Sequence, residues 1–285
     1  MSKDKIIGID VGATKIHVGV VQNGKIIEEK KFPTSAQAPE QQVMQELMEG
    51  IAPFIGPDVL GIGIGVPGLI DPELGIVYDL VNIPSWKRVP LKTSLEERFK
   101  IPVAVTNDAN TFALGEKIYG KAQKYKNMVG ITLGTGLGAG IIINNDLYAG
   151  AYSCAGELGG ISYLDETIED YCSGKFFKNK FGMEGKELLS LAEKGDAKAL
   201  DIFDQYGRHL GNAIKQVMFT LSPEAVFLGG SICFCYPYFK AAMHAQVETF
   251  PYKLVTKQLV IETSSLPNAA IYGAAALIQK NLVTY

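Results

Sequence analysis

Two acidic residues, each closing an apolar run, are the first candidates for chemistry in this chain. Asp10 ends the run IIGID and is followed at once by the glycine turn Val11-Gly12-Ala13-Thr14-Lys15. Asp108 follows the run Val103 to Thr106, within VTNDANTF, and stands where a helix begins. A carboxylate at a helix start stays ionised and can take a proton from an alcohol that attacks a phosphate. One that faces phosphates can hold Mg²⁺, through water. Structural duties compete with both readings. Asp10 could cap its turn and Asp108 its helix, although Asn107 or Asn110 could cap that helix equally well.

The turn after Asp10 has a counterpart half the chain later. LGTGLGAG (133–140) places four glycines in the seven residues 134–140. Glycine lets the backbone approach a phosphate closely, so that successive N–H groups point at its oxygens. Thr14, Lys15 and Thr135 add hydroxyl and ammonium donors. Neither turn fits GxxxxGK[ST], and neither is the strand-to-helix GxGxxG of a dinucleotide fold. Both read instead as hairpin turns that could hold a phosphate chain. Glu157, among the glycines of AGELGG, and Glu169, in IEDYCSG, could accept pairs of sugar hydroxyls or could be solvated loop charges.

These residues need elements to position them. Ile6 to Asp10, Ile16 to Val21 and Lys25 to Phe32 read as strands, the last two joined by the hairpin signal Asn23-Gly24. A helix over 39–54, a strand over 59–66, a loop with small strands over 71–90, a helix over 91–99 and a strand over 103–106 follow. A helix then runs to about Tyr119. The same order restarts at Met128. A polar insertion over 150–185, helices over 186–221, a strand over 225–228 closed by Gly229-Gly230 and an alanine-rich buried helix over 269–279 complete the reading.

Composition narrows the class. The 285 residues are 47% hydrophobic and 20% charged, with a net charge of −3, which gives no electrostatic argument for nucleic acid or a membrane surface as partner. No run approaches the roughly 18 apolar residues of a membrane helix, and no apolar signal region opens the chain, so a cytoplasmic protein is expected. Four cysteines are too few for a disulfide framework. His17, His209 and His244 are scattered through apolar strand and helix patterns and read as packing residues.

The order of these pieces resembles the ROK family of sugar kinases and repressors, within the actin-like ATPase superfamily. The resemblance rests on DVGATK (10–15), GIGIGVPGLID (61–71), NIPSW (82–86), VTNDANTFALGE (105–116), LGTGLGAG (133–140), AGELGG (155–160), FLGGSI (227–232) and YGAAAL (272–277). It implies an α/β fold of two ribonuclease-H-like domains with a nucleotide and sugar cleft between them. Residues 1–117 would form the N-terminal domain, 118–269 the C-terminal one, and the helix 270–285 would pack back on the first. The implied activity is ATP- and Mg²⁺-dependent phosphorylation of a hexose, glucose foremost, with mannose, fructose or an N-acetylhexosamine as alternatives and a homodimer as the assembly.

Carried over by position, Asp108 matches the family's catalytic base. Asn82, Asn107, Glu157 and Glu169 match sugar contacts, with Asp108 also touching the sugar. Gly12, Thr14, Lys15, Thr135 and Gly136 match the phosphate turns, Gly229 and Gly230 the adenosine loop, and Asp10 the magnesium position. Two departures stand out. The family's cysteine zinc cluster is absent before Glu169, so no structural zinc is expected. The Glu-x-Gly-His motif reads Glu157-Leu158-Gly159-Gly160, so the usual sugar-binding histidine is replaced by glycine. Family repressors carry a DNA-binding segment ahead of the first strand. Here that strand begins at Ile6, and a regulator's role is not expected.

Overall fold

A computed structural model describes residues 4–80 and 82–283 and divides into two compact units. The first comprises Met1–Lys124, Gly140–Ala155 and Ser265–Tyr285, and the second Tyr125–Ala139 and Gly156–Ser264.

In the first unit β1 (Lys5–Val11), β2 (Lys15–Gln22) and β3 (Lys25–Pro33) form an antiparallel meander, and β1 also pairs in parallel with β4 (Val59–Val66). The strands β1 and β4 are almost continuously apolar and buried, the pattern of parallel strands covered on both faces. By contrast β3 reads KIIEEKKFP and is largely exposed, its charges protecting a sheet edge. Helix α1 (Glu40–Ile51) buries Val43, Met44, Leu47 and Ile51, a spacing that keeps one face apolar. The expected loop over 71–90 contains a small sheet of β5 (Leu69–Asp71), β6 (Ile76–Tyr78) and β7 (Arg88–Val89). Helix α2 (Leu91–Phe99) ends on Lys100 in the left-handed region, at φ 58°. Then β8 (Val103–Asn107) runs straight into α3 (Asp108–Ile118), completing the sheet order β3-β2-β1-β4-β8.

The second sheet repeats that topology. Its strands β9 (Met128–Leu133), β10 (Leu137–Ile143), β11 (Asp146–Leu147), β14 (Ala225–Gly229) and β15 (Val260–Thr263) lie in the order β11-β10-β9-β14-β15. The segment read as a polar insertion contains a hairpin, β12 (Ser162–Tyr163) and β13 (Glu166–Thr167), and the short helix α4 (Ile168–Cys172). Helix α5 (Gly185–Glu193) precedes α6 (Ala197–Leu221), which Asp196 caps by accepting from the Ala199 N–H at 2.8 Å. On α6, Gly207 and Gly211 leave room for the backbone of α7 (Tyr236–Val247), where Phe239 and Met243 present their carbonyls. Helix α8 (Lys253–Gln258) leads into β15. Among the described residues no helix is long and apolar enough to cross a membrane.

The last helix, α9 (Ala269–Val283), returns to the first unit; positions 284 and 285 of the expected helix lie outside the described residues. Glycines determine how closely it can lie. A Cβ on Gly8 of β1 would strike the Ile271 carbonyl, one on Gly63 of β4 the Ala274 carbonyl, and one on Gly115 of α3 the Ala269 carbonyl. All three obstacles are backbone and cannot rotate away. Gly63→Ala is therefore expected to lower stability by at least about 1–3 kcal/mol, read as a drop in thermal or urea midpoint. A midpoint equal to wild type would show that α9 is not held this closely.

Candidate active site

The first unit gathers its candidates at the C-terminal ends of its parallel strands, where open α/β sheets bind ligands. Asp10 on β1 lies in register with Gly65 on β4, and Gly65 with Thr106 on β8. A Cβ on Gly65 would come within 3.3 Å of the Asp108 Cα and 2.7 Å of the Thr111 hydroxyl. Glycine at 65 thus makes the space into which α3 starts.

The capping alternatives are resolved here. Asn107 caps α3, its Oδ1 accepting from the Ala109 N–H at 2.8 Å while its Nδ2 donates to the Gly68 carbonyl at 3.2 Å. Asn110 instead donates to the Thr106 hydroxyl at 3.2 Å. Asp108 shares the Ala109 N–H at 2.9 Å, which leaves its second carboxylate oxygen for other work. Burial pushes the Asp108 carboxyl above its ordinary range, and the Ala109 N–H partly offsets this. Asp10 is raised to about 6, first by burial and then by the Asp108 charge, against a lowering from Lys15. Ionising both carboxyls is thus costly, through burial first and for Asp10 through the Asp108 charge next, which Lys15 only partly offsets.

That imbalance suits a hard divalent cation. Mg²⁺ takes one or two carboxylates and otherwise water and phosphate oxygens, so Asp10 with a bound phosphate chain is an adequate donor set. Among the described residues no group of three or more His, Cys, Asp or Glu gathers in one place.

The first glycine turn is closed by the Gly12 N–H donating to the Lys15 carbonyl at 3.0 Å and braced by the Thr34 hydroxyl on the Gly12 carbonyl at 2.8 Å. Thr14 and Lys15 at its tip are exposed. Asn82 is also exposed, in a turn held by the Leu80 N–H on the Trp86 carbonyl at 3.0 Å and by the buried Ile83 and Trp86.

The second unit holds the remaining candidates. Its glycine turn is closed by the Gly134 N–H on the Gly136 carbonyl at 3.0 Å, with Thr135 exposed at the tip. Gly230 has φ 88°, and a Cβ there would collide with the Leu133 carbonyl, so the Gly229-Gly230 step packs under this turn. Glu157 is exposed and precedes the short turn Leu158–Gly160. No atom lies within 4 Å of where a Cβ on Gly160 would stand, so the position that carries histidine in the resemblance opens onto free space.

Glu169 is engaged differently from the other carboxylates. Its Oε2 accepts the Leu137 N–H at 2.8 Å and its Oε1 pairs with the Lys175 ammonium at 2.6 Å. Sequence reasoning does not single out Lys175, whose signal is only its place directly after Ser173-Gly174. A cavity of about 660 Å³ opens beside it, lined by Gly134, Thr135, Gly174 and Lys175 at one side and by apolar groups including Ile232 and Phe234.

The histidines pack. His17 is buried and bonded to Glu29 at 2.8 Å, His209 meets the Tyr163 hydroxyl at 3.1 Å, and His244 meets the Tyr236 hydroxyl at 3.4 Å. All four cysteines are free.

Residues 6–281 match the model of the ROK family. The chain is 32% identical to a glucokinase of Halalkalibacterium halodurans over 270 residues, covering 81% of this chain and 82% of the relative. It is 30% identical to a xylose repressor of Bacillus subtilis, covering 95% of this chain and 76% of the repressor. A Streptomyces griseus ROK glucokinase, solved with glucose and AMPPNP, superposes with a TM-score of 0.82 at 29% identity, over 97% of this chain and 99% of that one. The α/β architecture is thus the two-domain actin-like ATPase fold. With its duplicated sheets, paired glycine turns and strand-end aspartates, this chain belongs to the ROK family.

Proposed function

We propose that this chain, an ATP-dependent sugar kinase, transfers the γ-phosphoryl group of ATP to the 6-hydroxyl of a hexose, with glucose the favoured acceptor. The observation that carries this reading is Asp108, a raised carboxyl at a helix start beside Asp10, with the N-cap duty taken by Asn107. The glucokinase relatives and the neighbour holding glucose with an ATP analogue support the choice of substrates.

On this reading Asp108 accepts the proton of the attacking hydroxyl through the oxygen not bonded to Ala109. The N–H groups of the two glycine turns, with Thr14, Lys15 and Thr135, hold the phosphate chain in line, which supplies positioning rather than covalent chemistry. Asp10 would hold Mg²⁺, through water, and the ion when bound would neutralise charge on the phosphate oxygens. Asn82, Asn107 and Glu157 receive the sugar hydroxyls. Asn107 retains one amide hydrogen and one oxygen lone pair for this beyond its two protein bonds. With open space at Gly160, one sugar hydroxyl meets water, and selectivity among hexoses is expected to be looser than where a histidine stands.

A coupled assay over glucose, mannose, fructose, N-acetylglucosamine and N-acetylmannosamine, with ATP or polyphosphate as donor, tests the proposal. The highest kcat/KM is expected for glucose with ATP. The relation to a xylose repressor favours one other reading, a sugar-responsive regulator. Saturable xylose or glucose binding with no turnover of any sugar would establish that reading and reject the kinase.

A further inference from the structure

We propose that Lys175 binds the phosphates of the donor nucleotide, with Glu169 as the residue that positions it. The inference rests on the kinase reading above and gives Glu169 a donor-side duty beyond the sugar contact that family resemblance suggests.

Three observations carry it. First, residue 175 is tied to the second glycine turn. The Gly174 N–H donates to the Gly134 carbonyl at 2.7 Å, so Lys175 leaves the chain one residue from the point where that turn is gripped. Second, Glu169 binds the turn and the lysine together. Its Oε2 takes the Leu137 N–H, its Oε1 takes the ammonium, and a Cβ on Gly136 would come within 2.5 Å of Oε2. The carboxylate thus fills the space beneath the turn. Third, Lys175 lines the 660 Å³ cavity with Gly134, Thr135 and Gly174, and Lys178 and Lys186 line the same cavity. The ammonium has three N–H donors, and its side chain is 44% exposed, so a phosphate oxygen can be met without breaking the pair to Glu169. Apolar Leu189, Ile232 and Phe234 on the cavity wall suit a nucleoside rather than a bare polyphosphate chain.

Lys175→Met and Lys175→Arg test the assignment. ATP and glucose are varied separately in a coupled assay, and binding of a ribose-labelled fluorescent ATP is measured without sugar. Loss of a charge-assisted contact should raise the ATP KM about tenfold in Lys175→Met and weaken labelled ATP to match, with the glucose KM nearly unchanged. Arginine should restore most of both. In the Lys175→Met background, Glu169→Gln should add little further loss of ATP affinity, because the glutamine oxygen can still accept the Leu137 N–H and the lost charge acts on the phosphates through the lysine. Wild-type ATP binding in Lys175→Met, or an effect confined to the glucose KM, overturns the assignment. Wild-type protein that binds no ATP overturns the kinase reading and this inference with it.

Discussion

Asp108→Asn is expected to cut the turnover of hexose phosphorylation by about 10²–10⁴-fold, the usual share of a positioned general base. Melting temperature should not fall, and at neutral pH should rise, because burial makes the ionised Asp108 carboxyl costly in the folded state. Asn107 is the N-cap of α3 and already accepts the Ala109 N–H, so the substitution removes neither the cap nor a buried partner. An asparagine oxygen can keep the shared bond to Ala109 but cannot take a proton. The pH profile supplies a second readout. Burial raises the Asp108 carboxyl, the base must be ionised, and activity is therefore present above the folded pKa and lost as pH falls through it. The acid limb of kcat/KM should lie above the ordinary aspartate value of 3.8. Near-normal turnover in Asp108→Asn, measured with glucose and ATP both saturating, would remove Asp108 from the mechanism.

Asp10→Asn is expected to move activity and stability in opposite directions. The folded carboxyl is raised from 3.8 to about 6 by burial and by Asp108. A carboxyl raised on folding takes up protons between those two values, so its contribution to stability falls as pH rises through that window and stays low at neutral pH. A shift of this size corresponds to about 3 kcal/mol at most, and roughly 1–2 kcal/mol after solvent screening of a half-buried group. Replacing it with a neutral isostere should raise the melting temperature at pH 7.5 by a few degrees in ligand-free protein, with a smaller gain at pH 5. The same variant should lose most activity and require more Mg²⁺ for what remains. A lower melting temperature at pH 7.5 would mean that Asp10 is a structural residue of the first turn. Strain of this kind, retained in the folded state, is expected where a carboxylate is kept for a ligand.

Much of this arrangement is legible in the sequence because it depends on local pattern. The runs ending at Asp10 and Asp108 are short, apolar and followed by glycine or by capping residues, so both the strands and the carboxylates at their ends could be read directly. The hairpin turns declare themselves through Asn23-Gly24 and the glycines of 134–140. The region over 150–185 is different. Its helix α4 has five residues, too few for an apolar period, and is held by a capping box between Thr167 and Asp170. Around it Tyr163, Tyr171, Phe176 and His209 pack ring against ring, with partners from α6 that no local window contains. The bond from Glu169 to the Leu137 N–H joins residues 32 apart, so the carboxylate could be placed by resemblance while its engagement with the turn and with Lys175 could not. The three strand positions aligned by Asp10, Gly65 and Thr106 likewise follow from sheet register rather than from any motif.

The central claim is that phosphate passes from ATP to the 6-hydroxyl of a hexose. Phosphorus and proton NMR of the products formed from glucose, ATP and Mg²⁺ test it most directly. The expected result is one glucose 6-phosphate for each ADP, with phosphorus coupling confined to the C6 protons. ATP consumed with release of free phosphate and no sugar ester, or an ester on another hydroxyl, would contradict it.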